Sequence, residues 1–144
     1  MDKPYIRYRS GYKYQLSEDY QVKVSIIPEN DVPADNTTKA FLELRKDGTL
    51  FVKTGYAWDG PSGPTFDTSN FMRGSLVHDA LYQLLRSKDI GQEWRDEADE
   101  ELRRICREDG MSKIYSNWVH WAVKTFGKMA ADPASRKKIH KAPK

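Results

Sequence analysis

The stretch AFLELRKDGTLFVKTGYAW, residues 40–58, is the strongest local predictor of the fold. Two runs rich in β-type residues flank the dipeptide Asp47-Gly48, which supplies the positive φ angles that a tight hairpin turn needs. Alternate apolar positions place one face of each run together. These positions are Leu42 and Leu44 before the turn, and Leu50 and Val52 after it. The stretch therefore predicts a β-hairpin with one apolar face.

Upstream of this hairpin, two more segments have strand character. YKYQL (residues 12–16) and YQVKVSII (residues 20–27) are rich in Tyr, Val and Ile, and they partly alternate in polarity. Between them and the hairpin, PENDVPADNTT (residues 28–38) contains Pro, Asn and Asp and predicts a loop. The first 57 residues are therefore predicted to be β-rich.

Downstream of the hairpin, DGPSGPTFDTSN (residues 59–70) predicts irregular structure. Ordered loops of this kind often bring backbone groups close to a ligand or an ion. The other interpretation is a simple connection between the sheet and the helices.

From residue 71 the hydrophobic period becomes helical. Helices are predicted over residues 71–86, with a cap near Ser69 or Asn70, over 91–110, with Gly110 as C-cap, and over 112–129. The expected core stripe of the first helix is Val77, His78, Leu81 and Leu85; that of the second is Trp94, Ala98, Leu102 and Ile105; that of the third is Ile114, Trp118, Trp121, Ala122, Thr125, Phe126 and Met129.

Strands followed by helices, rather than alternating with them, indicate an α+β fold. We expect N-terminal antiparallel strands packed with a C-terminal three-helix half in one domain, residues 1–135. Its parts are a β-rich segment (1–57), a Gly/Pro loop (58–70) and a helical segment (71–130). A basic flexible tail follows at 136–144.

Composition restricts the classes of function. The chain has 144 residues, 38% hydrophobic and 31% charged, as expected of a globular domain. The tail RKKIHKAPK contains five basic residues and no acid, which leaves 19 basic against 21 acidic residues in the body. Nucleic-acid binding by the body is therefore not expected, whereas the tail could bind an anionic lipid or membrane surface. The single cysteine, Cys106, excludes an internal disulfide and is expected to be a buried apolar residue.

The segment GSLVHDALYQ, residues 74–83, contains the candidate catalytic group. His78 and Asp79 are adjacent, so on a helix they point about 100° apart and each has its own neighbours. Tyr82 lies within one turn of both. A histidine that acts as a general base needs a second group to orient it, usually a carboxylate on another element. Asp99, on the second predicted helix, is the candidate for that role.

The pattern GPSGPTFD, then HDALY, then AD resembles phospholipase A2, especially its disulfide-free parvoviral form and small bacterial forms. The resemblance covers roughly residues 55–105. It implies that His78 deprotonates water, that Asp99 orients the far nitrogen of the imidazole, and that Tyr82 supports Asp99 by a hydrogen bond.

The same resemblance implies calcium as a cofactor. Asp79 would bind Ca²⁺ together with backbone carbonyls of the loop from Gly60 to Gly63. Asp59, which the phospholipases lack, could replace one backbone ligand. The implied activity is calcium-dependent ester hydrolysis.

Nearly the whole chain is also similar to an uncharacterised family of phage and prophage proteins with a D-G-x-S-x-P-like loop, H-D-x-L-Y and a later R-x-x-x-D. The matching positions are Asp59, Gly60, Ser62, Pro64, His78, Asp79, Tyr82, Arg95 and Asp99. This similarity implies a phage origin and no particular activity. The N-terminus lacks an apolar signal region and no apolar run could cross a membrane, so we expect a protein made in the host cytoplasm or associated with the virion.

Three other interpretations remain open. The protein could be a non-catalytic phage structural or partner-binding protein, in which Arg95 and Asp99 form an ordinary intrahelical ion pair and the N-terminal sheet docks against a phage or host protein. It could be a peptidoglycan-directed hydrolase. Ser62 could also act as a nucleophile with His78, although such serines mostly cap turns.

The enzyme and the structural protein predict different surroundings for His78. An enzyme should have an open cleft at His78, with the far nitrogen of the imidazole held by Asp99. A structural protein should have a buried, saturated His78, and an exposed apolar surface on the N-terminal sheet.

Overall fold

The computed structural model describes residues 5–9, 14–33, 41–59 and 69–135, and the expected α+β fold is confirmed. Short antiparallel strands come first, and packed helices follow. The strands are β1 (Tyr8–Arg9), β2 (Tyr14–Leu16), β3 (Tyr20–Lys23), β4 (Leu42–Leu44), β5 (Thr49–Val52) and β6 (Ala57–Trp58). The helices are α1 (Ser69–Arg86), α2 (Arg95–Glu108) and α3 (Lys113–Ala131), with single 3₁₀ turns at Gln92–Trp94 and Pro133–Ser135.

The predicted hairpin is present as β4 and β5, with Leu44 opposite Leu50. Its turn is wider than the two-residue turn that Asp47-Gly48 suggested. Only Gly48 has a positive φ, of 89°, and its N–H donates to the Arg45 carbonyl at 2.9 Å. The Asp47 carboxylate instead accepts the backbone N–H of Thr49 at 2.9 Å. This is the three-residue type of hairpin loop, with glycine at the bulge.

The strands form two small antiparallel sheets rather than one. The first has the order β1–β2–β6, and the second has the order β3–β5–β4. Strand β1 was not predicted, and residues 12–13 of the predicted strand over 12–16 lie outside the described residues. The predicted loop contributes one bridge, between Val32 and Leu44, although residues 34–38 also lie outside the described part.

Helix α1 lies at the centre of the molecule. Its expected stripe is buried, and so is most of its remaining surface, as is typical of a helix packed on several sides. At Gly74 a β-carbon would lie 2.7 Å from the Cys106 sulfur of α2, so the glycine permits the close approach of these two helices. Cys106 is buried as expected, and burial raises the pKa of its thiol to about 12.

Helix α2 buries the stripe that the sequence predicts, with Trp94 only half buried at its start. It ends at Glu108 with Asp109 as its C-cap, and the glycine expected to end it, Gly110, follows directly with a φ of 101°. The N–H groups of Gly110 and Met111 donate to the carbonyls of Arg107 and Cys106, at 3.1 and 2.9 Å. This pair of bonds is the Schellman motif.

The prediction for α3 was wrong about which face is buried. Ile114, Trp118 and Trp121, expected in the core, are exposed, and Thr125 is exposed as well. The side chains of Phe126 and Met129 lie outside the described part. Among the α3 residues whose burial the structure describes, the buried ones are Ser116, Val119, Gly127 and Ala131. Helix α3 carries apolar side chains around most of its circumference, so spacing alone could not identify the side that packs.

The predicted boundaries are close to the observed ones. The last strand ends at Trp58 and the first helix begins at Ser69, so both ends of the predicted loop over 58–70 are regular structure. The tail, residues 136–144, lies outside the described residues. Within the part of the chain that the structure describes, no helix combines the length and apolar character needed to cross a membrane.

Candidate functional site

Helices α1 and α2 bring His78 and Asp99 together, as the sequence predicts. The Nε2 atom of His78 lies 2.8 Å from Oδ1 of Asp99. A carboxylate can only accept a hydrogen bond, which assigns the imidazole proton to Nε2. Both side chains are buried: 10% of the His78 side chain and 1% of the Asp99 side chain are exposed. The contact joins residues 21 positions apart in the chain.

Tyr82 completes this cluster from the next turn of α1. Its hydroxyl donates to the same Oδ1 atom of Asp99 at 2.6 Å, and its ring lies 4.1 Å from the His78 ring between centroids, tilted by 36°. Burial and this hydrogen bond raise the pKa of Tyr82 above its usual range. The hydroxyl therefore stays protonated and acts as a donor to Asp99.

The other oxygen of Asp99 is buried without a partner. Among the described residues, no group hydrogen-bonds to Oδ2. An unpaired carboxylate oxygen in the interior is costly, and it leaves Asp99 with unused capacity to accept a further hydrogen bond. Buried groups of this kind are often found at functional sites.

The arrangement assigns different tasks to the two ring nitrogens of His78. Because Nε2 is bound to Asp99, Nδ1 is the nitrogen that remains for chemistry. A neutral imidazole with one nitrogen held by a carboxylate can take a proton on the other, and the carboxylate stabilises the resulting cation. The expected orienting contact is therefore present, whereas the imidazole itself is mostly buried. The contact with Asp99 is the one expected of an enzyme, whereas the burial of His78 is the one expected of a structural protein.

Asp79 points about 100° away from His78 around α1 and has its own neighbours. It is partly buried, and its carboxylate accepts a hydrogen bond from the backbone N–H of Asp59, the first residue of the predicted loop over 59–70. Burial raises the pKa of Asp79 to about 6, and the negative charge of Asp59 contributes to this increase; the charges of His78 and Arg86 oppose it. Two neighbouring carboxylates, one of them poorly solvated, form an electrostatically unfavourable pair.

The donor set is compatible in part with a divalent cation. Asp79 and Asp59 supply carboxylate oxygens, which Ca²⁺ prefers as ligands, and their mutual repulsion would be relieved by a bound cation. The other predicted metal ligands, Gly60 and Gly63, lie outside the described residues, as does Ser62. Within the described ranges, no group of three or more His, Cys, Asp or Glu residues is placed to hold a metal ion. Backbone carbonyls would have to supply the remaining ligands.

Arg95 does not form the ion pair with Asp99 that the structural interpretation expected. In the part of the chain that the structure describes, Asp99 is engaged by His78 and Tyr82 instead. The positive charge of Arg95 favours the ionised phenol and so opposes the increase in the pKa of Tyr82. Arg95 therefore lies near Tyr82.

The sequence did not identify three residues around Asp79. Tyr56 is buried, and its hydroxyl donates to Gln83 Oε1 at 3.1 Å. The pKa of Tyr56 is raised above its usual range by burial and by the charge of Asp79, and Arg86 opposes that increase. Gln83 and Arg86 are four and seven residues after Asp79, so helical spacing could have placed them on its face. No local signal connects Tyr56 to them.

Helix α3 packs against the Tyr82 side chain at Gly127. A β-carbon at this position would overlap the Tyr82 hydroxyl and would lie 3.1 Å from Cζ of the ring. Glycine at residue 127 therefore allows α3 to pack directly against Tyr82. Helix α3 also contacts α2 beside the cluster, because Nε2 of His120 lies 3.2 Å from Oε1 of Glu100.

The exposed apolar surface is not confined to the N-terminal half, where the structural interpretation placed it. Tyr5, Tyr8, Ile27 and Phe41 are exposed there, but α3 exposes Ile114 and two tryptophans.

Comparison with known proteins found no match to the chain among protein-family models, curated proteins or solved structures.

Proposed function

We propose that this protein is a phage-encoded His/Asp hydrolase that cleaves a carboxylic ester in a calcium-dependent reaction, with His78 as the base. The observation that carries the proposal is the buried cluster in which Asp99 holds Nε2 of His78 at 2.8 Å and is itself held by the Tyr82 hydroxyl at 2.6 Å. The resemblance of the HDALY segment to phospholipase A2 supports the same chemistry.

The proposed reaction uses the chain's own groups for proton transfer. Nδ1 of His78 takes a proton from water as the water oxygen forms a bond to the ester carbonyl carbon. Asp99 stabilises the resulting imidazolium through Nε2. When the bond between the carbonyl carbon and the alkoxy oxygen breaks, the imidazolium returns its proton to the leaving alcohol. The products are one carboxylic acid and one alcohol.

Asp79 and Asp59 would hold the calcium ion, with backbone carbonyls of the following loop. Bound calcium would supply the electrophile that polarises the carbonyl and balances the oxyanion charge. Asp79 must be ionised to act as a ligand. With a pKa of about 6, it is largely ionised at neutral pH, and calcium binding should weaken below that value.

Fatty-acid release from phosphatidylglycerol vesicles tests the activity. The purified chain is compared in millimolar calcium and in chelator, together with His78→Gln. We expect activity in calcium only and a loss of about 10²–10⁴-fold in His78→Gln. The matched control is His120→Gln, because His120 is the other described histidine and contacts Glu100 rather than Asp99. Equal activity of wild type and His78→Gln would contradict the assignment of the base.

Calcium binding is measured separately by calorimetry, so that it does not depend on the choice of substrate. Wild type should bind in the micromolar to millimolar range, and Asp79→Ala should not bind. Absence of heat with the wild-type protein at millimolar calcium would rule out the metal part of the proposal.

A second candidate is a non-catalytic phage structural or partner-binding protein. It is favoured by the burial of His78, because a general base must reach its substrate. For this candidate, replacement of His78 would lower the unfolding temperature, and the wild-type protein would show no hydrolysis.

A further inference from the structure

The outer face of α3 carries large apolar side chains that no described element covers. Ile114, Trp118 and Trp121 are 85%, 40% and 58% exposed. Their spacing of four and seven residues places them on one side of the helix. The opposite side, with Val119, packs against α1 and α2. We call the exposed side, made of these three residues, the α3 outer face.

The charged side chains of α3 itself have one sign. Helix α3 contains no Asp or Glu in its 19 residues. Lys113 and Lys124 are exposed along one border of the α3 outer face, displaced from Trp121 by less than a quarter turn. Residues 136–144, which follow shortly after α3, add five basic residues and no acid. The rest of the sequence has 16 basic against 21 acidic residues, so the positive charge is concentrated towards the C-terminal end of the sequence.

Tryptophan with lysine is the combination that suits the boundary between water and lipid. The indole ring has an apolar body and one N–H group, which matches the headgroup region of a bilayer. Lysine side chains lie along the apolar surface and keep their ammonium groups at the level of anionic phosphates. A helix with such a face and a cationic border binds in the plane of the membrane surface rather than across it.

We propose that the α3 outer face is a docking surface for an anionic lipid bilayer, with Trp118 and Trp121 inserted at headgroup depth and Lys113 and Lys124 on lipid phosphates. The two lysines add electrostatic attraction, worth about 1 kcal/mol per basic residue near the surface, while the tryptophans supply the apolar contact. The combination of exposed tryptophans with lysines favours the lipid–water boundary over a protein partner or a second copy of this chain. The proposal depends on α3 alone and holds whether or not His78 hydrolyses the lipid.

Flotation with vesicles tests this proposal without any activity readout. The full chain is mixed with phosphatidylglycerol–phosphatidylcholine vesicles in chelator, and tryptophan fluorescence is recorded with and without brominated lipid as a depth-dependent quencher. We expect flotation on the mixed vesicles, little on pure phosphatidylcholine, weaker binding in high salt, and quenching of the exposed tryptophans. The variant His78→Gln should bind like wild type, which separates this test from that of the hydrolase.

Three variants distinguish the face from the tail. Trp118→Ala with Trp121→Ala should weaken binding by about tenfold or more, and both positions are exposed, so the fold should be retained. Ile27→Ala with Phe41→Ala removes two exposed apolar side chains from the β half and should leave binding unchanged. Replacement of Lys113 and Lys124 by Glu should weaken binding mainly at low salt.

Several results would overturn the proposal. One is an absence of vesicle binding; another is unchanged binding in the double tryptophan variant, which would assign the interaction to the tail alone. A third is a concentration-dependent dimer that the double tryptophan variant abolishes, because the occupant of the face would then be a second copy of the chain.

Discussion

Replacing Asp79 by Asn should make the metal-free protein more stable at neutral pH, although Asp79 is proposed to be essential for function. The carboxylate is partly buried and lies close to Asp59, and together these features raise its pKa from 3.8 to about 6. An amide carries no charge, and its oxygen can still accept the backbone N–H of Asp59. The substitution therefore removes an unfavourable charge while retaining the hydrogen bond.

The magnitude follows from the change in proton affinity. A tenfold difference in proton affinity corresponds to about 1.4 kcal/mol. The increase in the pKa of Asp79 from 3.8 to about 6 therefore sets an upper limit of about 3 kcal/mol on the stability gained by Asp79→Asn. Because the side chain is partly exposed, we expect about 1–2 kcal/mol. A pKa raised in the folded state means that the contribution of Asp79 to stability is complete below pH 3.8 and is lost as the pH rises through 6. The increase in stability caused by Asp79→Asn should therefore develop as the pH rises from 3.8 to about 6.

Thermal unfolding between pH 4 and 8 in chelator measures this effect. We expect the unfolding temperature of Asp79→Asn to exceed that of wild type by about 3–6 °C at pH 7.5, at about 3 °C per kcal/mol. The difference should shrink towards pH 4, where wild type is protonated. Asp96→Asn replaces an exposed carboxylate of α2 as the matched control. The reasoning is refuted if Asp79→Asn melts below wild type at pH 7.5, or if the two proteins show the same pH dependence.

Other predictions concern packing around Tyr82 and Gly74. Tyr82→Phe removes the hydrogen bond to Asp99 and should lower the free energy of unfolding by about 1.5–3 kcal/mol in denaturant titrations. Gly127→Ala should cost about 1–3 kcal/mol through overlap with the Tyr82 hydroxyl, but much less in the Tyr82→Phe background; additive effects in this double-mutant cycle would contradict the contact. Gly74→Ala, which places a β-carbon 2.7 Å from the Cys106 sulfur, should also cost about 1–3 kcal/mol, and the double variant with Cys106→Ala should recover part of this loss.

The central part of the site could be predicted because it depends on two helices with strong periodic patterns. His78 and Tyr82 are one turn apart on α1, and Asp99 adjoins the apolar stripe of α2 that packs against α1. Once that stripe is identified, the approach of Asp99 to His78 follows from the packing of the two helices. The hairpin was predictable for the same reason, since a turn signal and alternation lie within one short segment.

What could not be predicted depends on partners distant in the sequence. Tyr56 approaches the neighbourhood of Asp79 only because β6 packs beside α1, and no spacing rule relates them. For α3, apolar residues at several angles offered more than one possible buried face. The small residues Ser116 and Gly127 lie on the side that packs, together with Val119, whereas Ile114, Trp118 and Trp121 are exposed. The close approach of α3 to Tyr82 at Gly127 therefore had no counterpart in the hydrophobic pattern.

The three strands of the second sheet lie between β2 and β6 of the first sheet in the sequence, which has a consequence for the order of folding. Tyr14 pairs with Trp58, while the pairs of the second sheet, Tyr20 with Val52 and Leu42 with Val52, lie between them in sequence. Formation of the inner sheet shortens the effective loop that the outer pair must close, which lowers its entropic cost. Strand β6 should therefore dock late. Asp59 follows β6 directly, so Asp79 should gain its neighbouring carboxylate only after the rest of the β half is assembled, and the chain avoids this repulsion during most of folding.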